Sequence, residues 1–297
     1  MSNPLTVIGN SWRKNWPEVR CGLAGGLPRF LFSKNPKPCD PGVPVFCYHV
    51  VSRDIFRDDL AFLEHNSYTT LTTEALLDHI EGRQTAPPKS VVLTFDDGHA
   101  NLYGTVFPLL RKFGCKAVAF IVPALHRDES EPGDDPATGL CTWPQVREMH
   151  DSGLIDFQPH TNSHRYVPDW PRAVPLAGVD PGLVEHRRPE PTGLVEDLRG
   201  SKAELERRLD KRVRHLAFPQ YNGTDQAIQT ARGLGYRGFF WGVLPGRPVN
   251  RPGDPADKIV RISGEFVRRL PGLKRVPLRR LMQQRYGKRF VRSSSTG

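Results

Sequence analysis

Two adjacent carboxylates, Asp96 and Asp97, close the apolar run Ser90-Val91-Val92-Leu93-Thr94-Phe95 and are followed by Gly98. Neighbouring acids in an apolar setting repel each other and lose hydration, so keeping both ionised requires a cation or strong donors. A metal ion is the cation this pair suggests. Further along, His160 and His164 stand four residues apart in His160-Thr161-Asn162-Ser163-His164. If the chain turns helically there, both imidazoles face one side and can share a divalent ion. Two imidazoles and one carboxylate leave positions on such an ion for water and a substrate oxygen. One aspartate then serves as ligand while its neighbour is free to take a proton.

Both groups must be delivered by strand ends. The β-branched run before Asp96 reads as a buried strand of an α/β fold, whose ligand chemistry gathers at the carboxyl ends of strands. Residues 43–51 (VPVFCYHVV) read as an earlier strand carrying Tyr48-His49, and 117–122 and 154–159 as later ones. Further strands are expected at 213–218, 236–241 and 258–262. Helical spacing of Phe56, Leu60 and Leu63 predicts a helix over 55–66, and others are expected at 73–81, 101–113, 142–153, 194–211 and 224–234. Alternating strands and helices imply parallel pairing through right-handed crossovers. Residues 165–192 are proline-rich and irregular, long enough to form a functional edge.

Thr94-Phe95-Asp96-Asp97-Gly98 and His160-Thr161-Asn162-Ser163-His164 resemble, in order, the first two signature motifs of the polysaccharide deacetylase (NodB-homology, carbohydrate esterase) family. The resemblance covers residues 43–265, the expected catalytic domain, between an extension and linker (1–42) and a basic amphipathic or disordered tail (266–297). It implies a distorted, incomplete (β/α) barrel, circularly permuted. It also implies that Asp96 is the general base and that Asp97, His160 and His164 hold one divalent ion, zinc foremost, with cobalt, nickel or iron as alternatives.

The family's third motif is typically Arg-x-Pro-Tyr, and the corresponding stretch here is Ala217-Phe218-Pro219-Gln220-Tyr221. The retained proline leaves the Gln220 backbone N–H as the implied oxyanion donor. The arginine is absent, so what orients Asp96 stays open. An alanine-like residue at that place and a Tyr-His on an early strand are similar to the poly-N-acetylglucosamine deacetylase branch. That similarity makes His49 the implied general acid, ahead of His99 and His126, because Ile259-Val260-Arg261-Ile262-Ser263 lacks the family's late Leu-x-His. Trp170, Tyr221 and Trp241 are candidate sugar contacts, with Trp143 a weaker one.

The net charge of +10 is concentrated at one end: residues 266–297 hold ten Lys/Arg and no acid, and the remaining residues balance at 32 basic against 32 acidic. Leu270 to Val291 interleaves apolar and basic residues, a pattern suited to an anionic membrane surface. No nucleic-acid motif accompanies the charge, and none is expected to bind. Five cysteines, odd in number and without a CxxC pair, favour free thiols and a reducing compartment. No apolar run is long enough for a membrane-spanning helix, and the first residues show no secretory pattern. The expectation is a cytoplasmic protein touching the inner face of the membrane. Its reaction would be removal of N-acetyl groups from an amino sugar of a polysaccharide or lipid-linked precursor. A metal-dependent glycosyltransferase and a non-catalytic glycan-binding module are the alternatives.

Overall fold

A computed structural model describes residues 20–129 and 139–283. Residues 1–19, most of the acidic loop (130–138) and the last part of the basic tail (284–297) lie outside them. In chain order the elements are β1 (Val45–Tyr48), α1 (Arg53–His65), β2 (Thr69–Thr70), α2 (Thr73–Ile80) and β3 (Ser90–Asp97). Next come α3 (Phe107–Phe113), β4 (Ala117–Ile121), α4 (Trp143–Asp151), β5 (Ile155–Pro159), α5 (Pro181–Val184) and α6 (Leu194–Leu209). The last are β6 (His215–Ala217), α7 (Asp225–Gly233), β7 (Gly238–Phe240) and β8 (Ile262–Ser263).

The main sheet is parallel in the order β5-β4-β3-β1-β8, with β2 beside the start of β3, and β6 and β7 form a separate parallel pair. Its first strand therefore lies next to its last. Two-residue alternation sends Val45, Val92, Val118, Phe120, Ala217 and Phe240 into one apolar cluster, joined by Ile259 and by Leu76 and Ile80 of α2. This cluster fills the curved interior, with α2 closing the end where the strands begin. Phe120 and Phe240 lie with ring centroids 4.8 Å apart and exclude water completely. Burying each ring contributes about 1.5–3 kcal/mol.

The wall does not close by strand ladders alone. Between β5 and β6 the Gln158 side-chain oxygen accepts from the backbone N–H of His215 at 3.1 Å, replacing a ladder bond. Between β7 and the chain leading into β8, Ile259 bridges Phe240, and Trp241 N donates to Ile259 O at 2.8 Å. The architecture is the distorted, incomplete barrel expected from the sequence. The strand expected at 258–262 forms later and shorter, because residues 256–258 make a turn before Ile262 reaches β1.

Both domain boundaries read from the sequence fall inside packed chain. Phe30 and Leu31 are buried in the same core as Phe56, Val267 and Leu270. Arg269 donates to Leu31 O and Ser33 O, and Arg275 to Phe30 O and Lys34 O, so cations of the tail fasten the N-terminal segment. Several of these cations satisfy backbone carbonyls instead of facing solvent.

Candidate active site

β3 ends at Asp96 and Asp97, and by strand alternation their side chains should face opposite ways. Alternation ends there, because Asp97 has φ 75° and Gly98 φ 77°. Left-handed backbone at two successive residues turns the Asp97 carboxylate back toward the inward-facing Asp96. Aspartate tolerates this region better than most residues.

His160 follows directly on β5. The expected helical turn over 160–164 is not formed: Thr161 has φ 63° and His164 φ 53°, and the segment is an irregular loop. It nevertheless brings the imidazoles together, with centroids 4.9 Å apart. Asp97 Oδ1 lies 3.7 Å from His160 Nε2 and 3.3 Å from His164 Nε2. One ligand atom from each of the three residues falls within 4.8 Å of the others, and all three side chains are buried.

The surroundings fix which atoms face inward. His160 Nδ1 bonds Ala217 O at 2.7 Å and His164 Nδ1 bonds Val174 O at 2.9 Å, leaving both Nε2 atoms toward Asp97. Asp97 Oδ2 accepts from Ala177 N–H at 2.6 Å, which turns Oδ1 toward the imidazoles. Burial lowers the proton affinity of both histidines, that of His164 to about 4, against the opposing pull of the nearby aspartates. Neutral imidazoles with outer nitrogens anchored to carbonyls are what a divalent cation takes as ligands. The donor set, two nitrogens and a carboxylate, fits a divalent ion.

Asp96 is held differently. Arg261, fully buried, donates from Nη1 to Oδ1 at 2.7 Å and from Nη2 to Oδ2 at 3.0 Å. Its Nε donates to Trp241 O at 3.0 Å, and Nη1 also reaches Thr94 Oγ1. Burial alone would raise the Asp96 carboxyl; Arg261 outweighs it and holds the group well below the usual carboxylate range. Cys47 lies 3.4 Å from Asp96 Oδ2, and burial pushes its thiol up to about 12, so it remains a neutral S–H donor.

The guanidinium missing from the third motif is thus supplied from the chain before β8. A charged residue inside the apolar run Ile259-Val260-Arg261-Ile262 was the available signal.

His49, half-buried at the end of β1, has its ring 6.4 Å from that of Tyr221 and is among the groups whose charge lowers Asp96. After Pro219, Gln220 and Tyr221 both take left-handed φ, 55° and 62°. Successive backbone units of this kind can form anion-binding concavities. Tyr221 is 37% exposed, with Arg261 5.3 Å from its ring centroid.

The other candidates have structural partners. His99 Nδ1 accepts from Asn101 N and its Nε2 bonds Gly178 O, while His126 Nδ1 bonds Cys141 O deep in the core. Trp170 donates to Thr192 O, Trp241 to Asp257 O, and Trp143 is buried under Arg208.

A family model described as polysaccharide deacetylase matches residues 83–239, just over half of the chain. Poly-beta-1,6-N-acetyl-D-glucosamine N-deacetylase of Escherichia coli K12 is 34% identical over 121 residues, 38% of this chain and 18% of that protein. The putative polysaccharide deacetylase YxkH of Bacillus subtilis is 22% identical over 212 residues, 69% of this chain and 65% of that one. The chain therefore spans less than two thirds of the length of either relative.

Among solved structures, IcaB from Ammonifex degensii aligns with a TM-score of 0.60 at 27% identity, over 77% of this chain and 94% of that one. The de-N-acetylase from Aggregatibacter actinomycetemcomitans aligns at 0.57 and 25% identity, over 74% and 94%. Motif order, barrel wall and matched span agree, and the chain belongs to the polysaccharide deacetylase family.

Proposed function

We propose that this protein is a metal-dependent N-deacetylase acting on an N-acetylated amino sugar of a polysaccharide or of a lipid-linked glycan precursor. The observation that carries the reading is the buried convergence of Asp97, His160 and His164, with Asp96 3.9 Å from His160 Nε2 through Oδ2. These three residues would hold the ion, zinc for preference. A divalent cation there supplies Lewis acidity, polarising the acetamide carbonyl and making attacking water more acidic.

In this mechanism Asp96 takes the proton from water as its oxygen attacks the carbonyl carbon, with Arg261 fixing the carboxylate's direction. The Gln220 N–H donates to the oxygen on which negative charge develops. His49, after the end of β1, gives a proton to the departing sugar nitrogen as the C–N bond breaks, releasing acetate and the free amine. Tyr221, exposed beside His49, is the aromatic best placed to meet the sugar. Trp170 and Trp241 would contribute through the loop and the arginine that they hold. A glycosyltransferase would leave two anchored, neutral imidazoles without a task.

The test is acetate release from N-acetylhexosamine oligomers with added zinc, cobalt or nickel. Asp96→Asn should retain the ion and lose turnover, while His160→Ala should lose both. Equal turnover in wild type and Asp96→Asn would refute the assigned base.

A second part of the reading is location at the cytoplasmic face of a membrane. Its support is the exposure of Leu273 (69%) and Met282 (37%) beside exposed Lys274, Arg279 and Arg280. Deleting 266–297 would remove Val267 and Leu270 from the core, so the suitable variant replaces Lys274, Arg279 and Arg280 with glutamine. Undiminished co-sedimentation of that variant with anionic vesicles would remove the proposal.

A further inference from the structure

The loop between His164 and α6 contributes no metal-ligating side chain, yet it supplies outer hydrogen bonds to two of the three candidate ligands. Val174 O receives the His164 Nδ1 bond, and Ala177 N–H bonds Asp97 Oδ2. What holds this loop therefore decides how well those ligands are aimed. Arg165 ties its ends together, donating to Ser163 Oγ, Pro171 O and Pro189 O, and Arg188 is the fastener that reaches the ligand contacts themselves.

The Arg188 side chain is 5% exposed. Its Nη1 donates to the carbonyl oxygens of Ser163 and His164, the latter at 3.2 Å, and its Nη2 to Val174 O at 3.3 Å. One guanidinium thus grips the backbone of His164 and the very carbonyl that orients the His164 ring. Glu185 receives Nη2 at 2.8 Å and Nε at 3.1 Å, which fixes the fork and offsets its charge. The opposite side of the ligand segment is fixed independently, by Asp197 accepting from Asn162 N at 2.8 Å and from Ser163 Oγ.

We infer that Arg188 is a positioning residue for metal retention: it locks His164 and the 173–177 segment into one unit, so that ion binding and closure of this loop are a single event. The inference rests on the metal site described above. Its physical basis is geometric. Arg188 is cationic, and by charge alone it would oppose a dication, as it opposes protonation of His164. What favours the ion is the planar fork, which reaches three carbonyls and a carboxylate at once. Lysine carries the same charge without that geometry.

Apo protein should be prepared as wild type, Arg188→Lys, Arg188→Ala and Arg172→Ala. Arg172 lies on the same loop, exposed and paired with Asp169, and serves as the control. Zinc affinity is read by competition with a chromogenic chelator, together with the rate of proteolytic cleavage within 165–192 with and without zinc. Outer-shell partners of metal ligands typically change affinity by about 10–100-fold. Arg188→Ala is expected to weaken zinc binding within that range and to lose the zinc-dependent protection of the loop. Arg188→Lys should fall much nearer to Arg188→Ala than to wild type, and Arg172→Ala should match wild type.

Wild-type affinity in Arg188→Ala would overturn the inference, and so would full rescue by Arg188→Lys. If Arg188→Ala lowers the melting temperature of the apo protein but leaves its zinc affinity unchanged, the residue is structural only and the inference also fails. Absence of zinc binding by the wild type would instead overturn the metal site itself, which separates the two failures.

Discussion

Arg261 Nη1 and Nη2 meet the two carboxylate oxygens of Asp96 at 2.7 and 3.0 Å, and both side chains are closed off from solvent. Neither charge has water to fall back on, so each depends on the other. Removing one member of such a buried pair destabilises a protein by about 3–5 kcal/mol, because the survivor is left uncompensated. Arg261→Ala should therefore lower the melting temperature strongly. In protein that still folds, acetate release should drop by about 10²–10⁴, the contribution of a positioned base. Arg261→Lys keeps charge without the fork and should recover stability more than rate. Unchanged turnover in folded Arg261→Ala would remove this contact from the reaction.

This pair also marks what the sequence could reveal. Asp96, Asp97, His160 and His164 were legible because they lie in two short contiguous motifs at strand ends, where local pattern and chemistry coincide. The barrel was legible because its strands are apolar runs separated by amphipathic helices. Arg261 was not, because its partner lies far away in sequence and only the β1–β8 neighbourhood brings them together. Val174 O and Ala177 N–H were invisible for another reason: backbone groups act there, and side-chain identity does not encode them. The role of Arg269 and Arg275 was hidden because they bond carbonyls of residues 30–34, a use of positive charge that composition cannot distinguish from solvation.

The role given to His49 can be separated from mere packing by the choice of leaving group. His49→Asn should lower turnover on an N-acetyl sugar by about 10²–10⁴, since an amine must be protonated as it leaves. An activated aryl acetate releases a weakly basic phenolate that needs no such proton. On that substrate the variant should lose far less, and its melting temperature should stay near wild type. An equal loss on both substrates would assign His49 to positioning instead of proton delivery.

The loop between His164 and α6 predicts a dependence on Asp97's outer contact as well. His99 holds Gly178 O at 3.1 Å, next to the Ala177 N–H that bonds Asp97 Oδ2. His99→Ala should loosen that segment, weakening zinc affinity by about tenfold, the lower end for an outer-shell partner. Turnover at saturating zinc should recover toward wild type. A rate loss that zinc cannot restore would place His99 in the chemistry instead.

Acid stability should depend on a buried histidine that packs against Gly98, the residue after Asp97. His126 is buried with Nδ1 bonded to Cys141 O at 2.7 Å, and its Nε2 has no hydrogen-bond partner among the described residues. Burial lowers its pKa to about 4 from an ordinary 6.5, with Arg187 and Arg127 adding to the effect. Between those values the unfolded chain binds a proton that the folded chain refuses. Stability is thus fully present above pH 6.5 and declines as pH falls toward 4, by about 3 kcal/mol from this residue.

His126→Phe, which cannot titrate, should make the dependence of unfolding free energy on pH shallower across that window, with His160 and His164 supplying the remainder, measured by urea denaturation of the zinc-free protein. The same ring explains why residue 98 is glycine. A Cβ there would lie 2.6 Å from His126 Cε1 and Nε2, and φ is 77°. Gly98→Ala should accordingly destabilise the fold at every pH, while leaving the slope contributed by His126 in place. An unaltered slope in His126→Phe would show that other groups govern the acid limb.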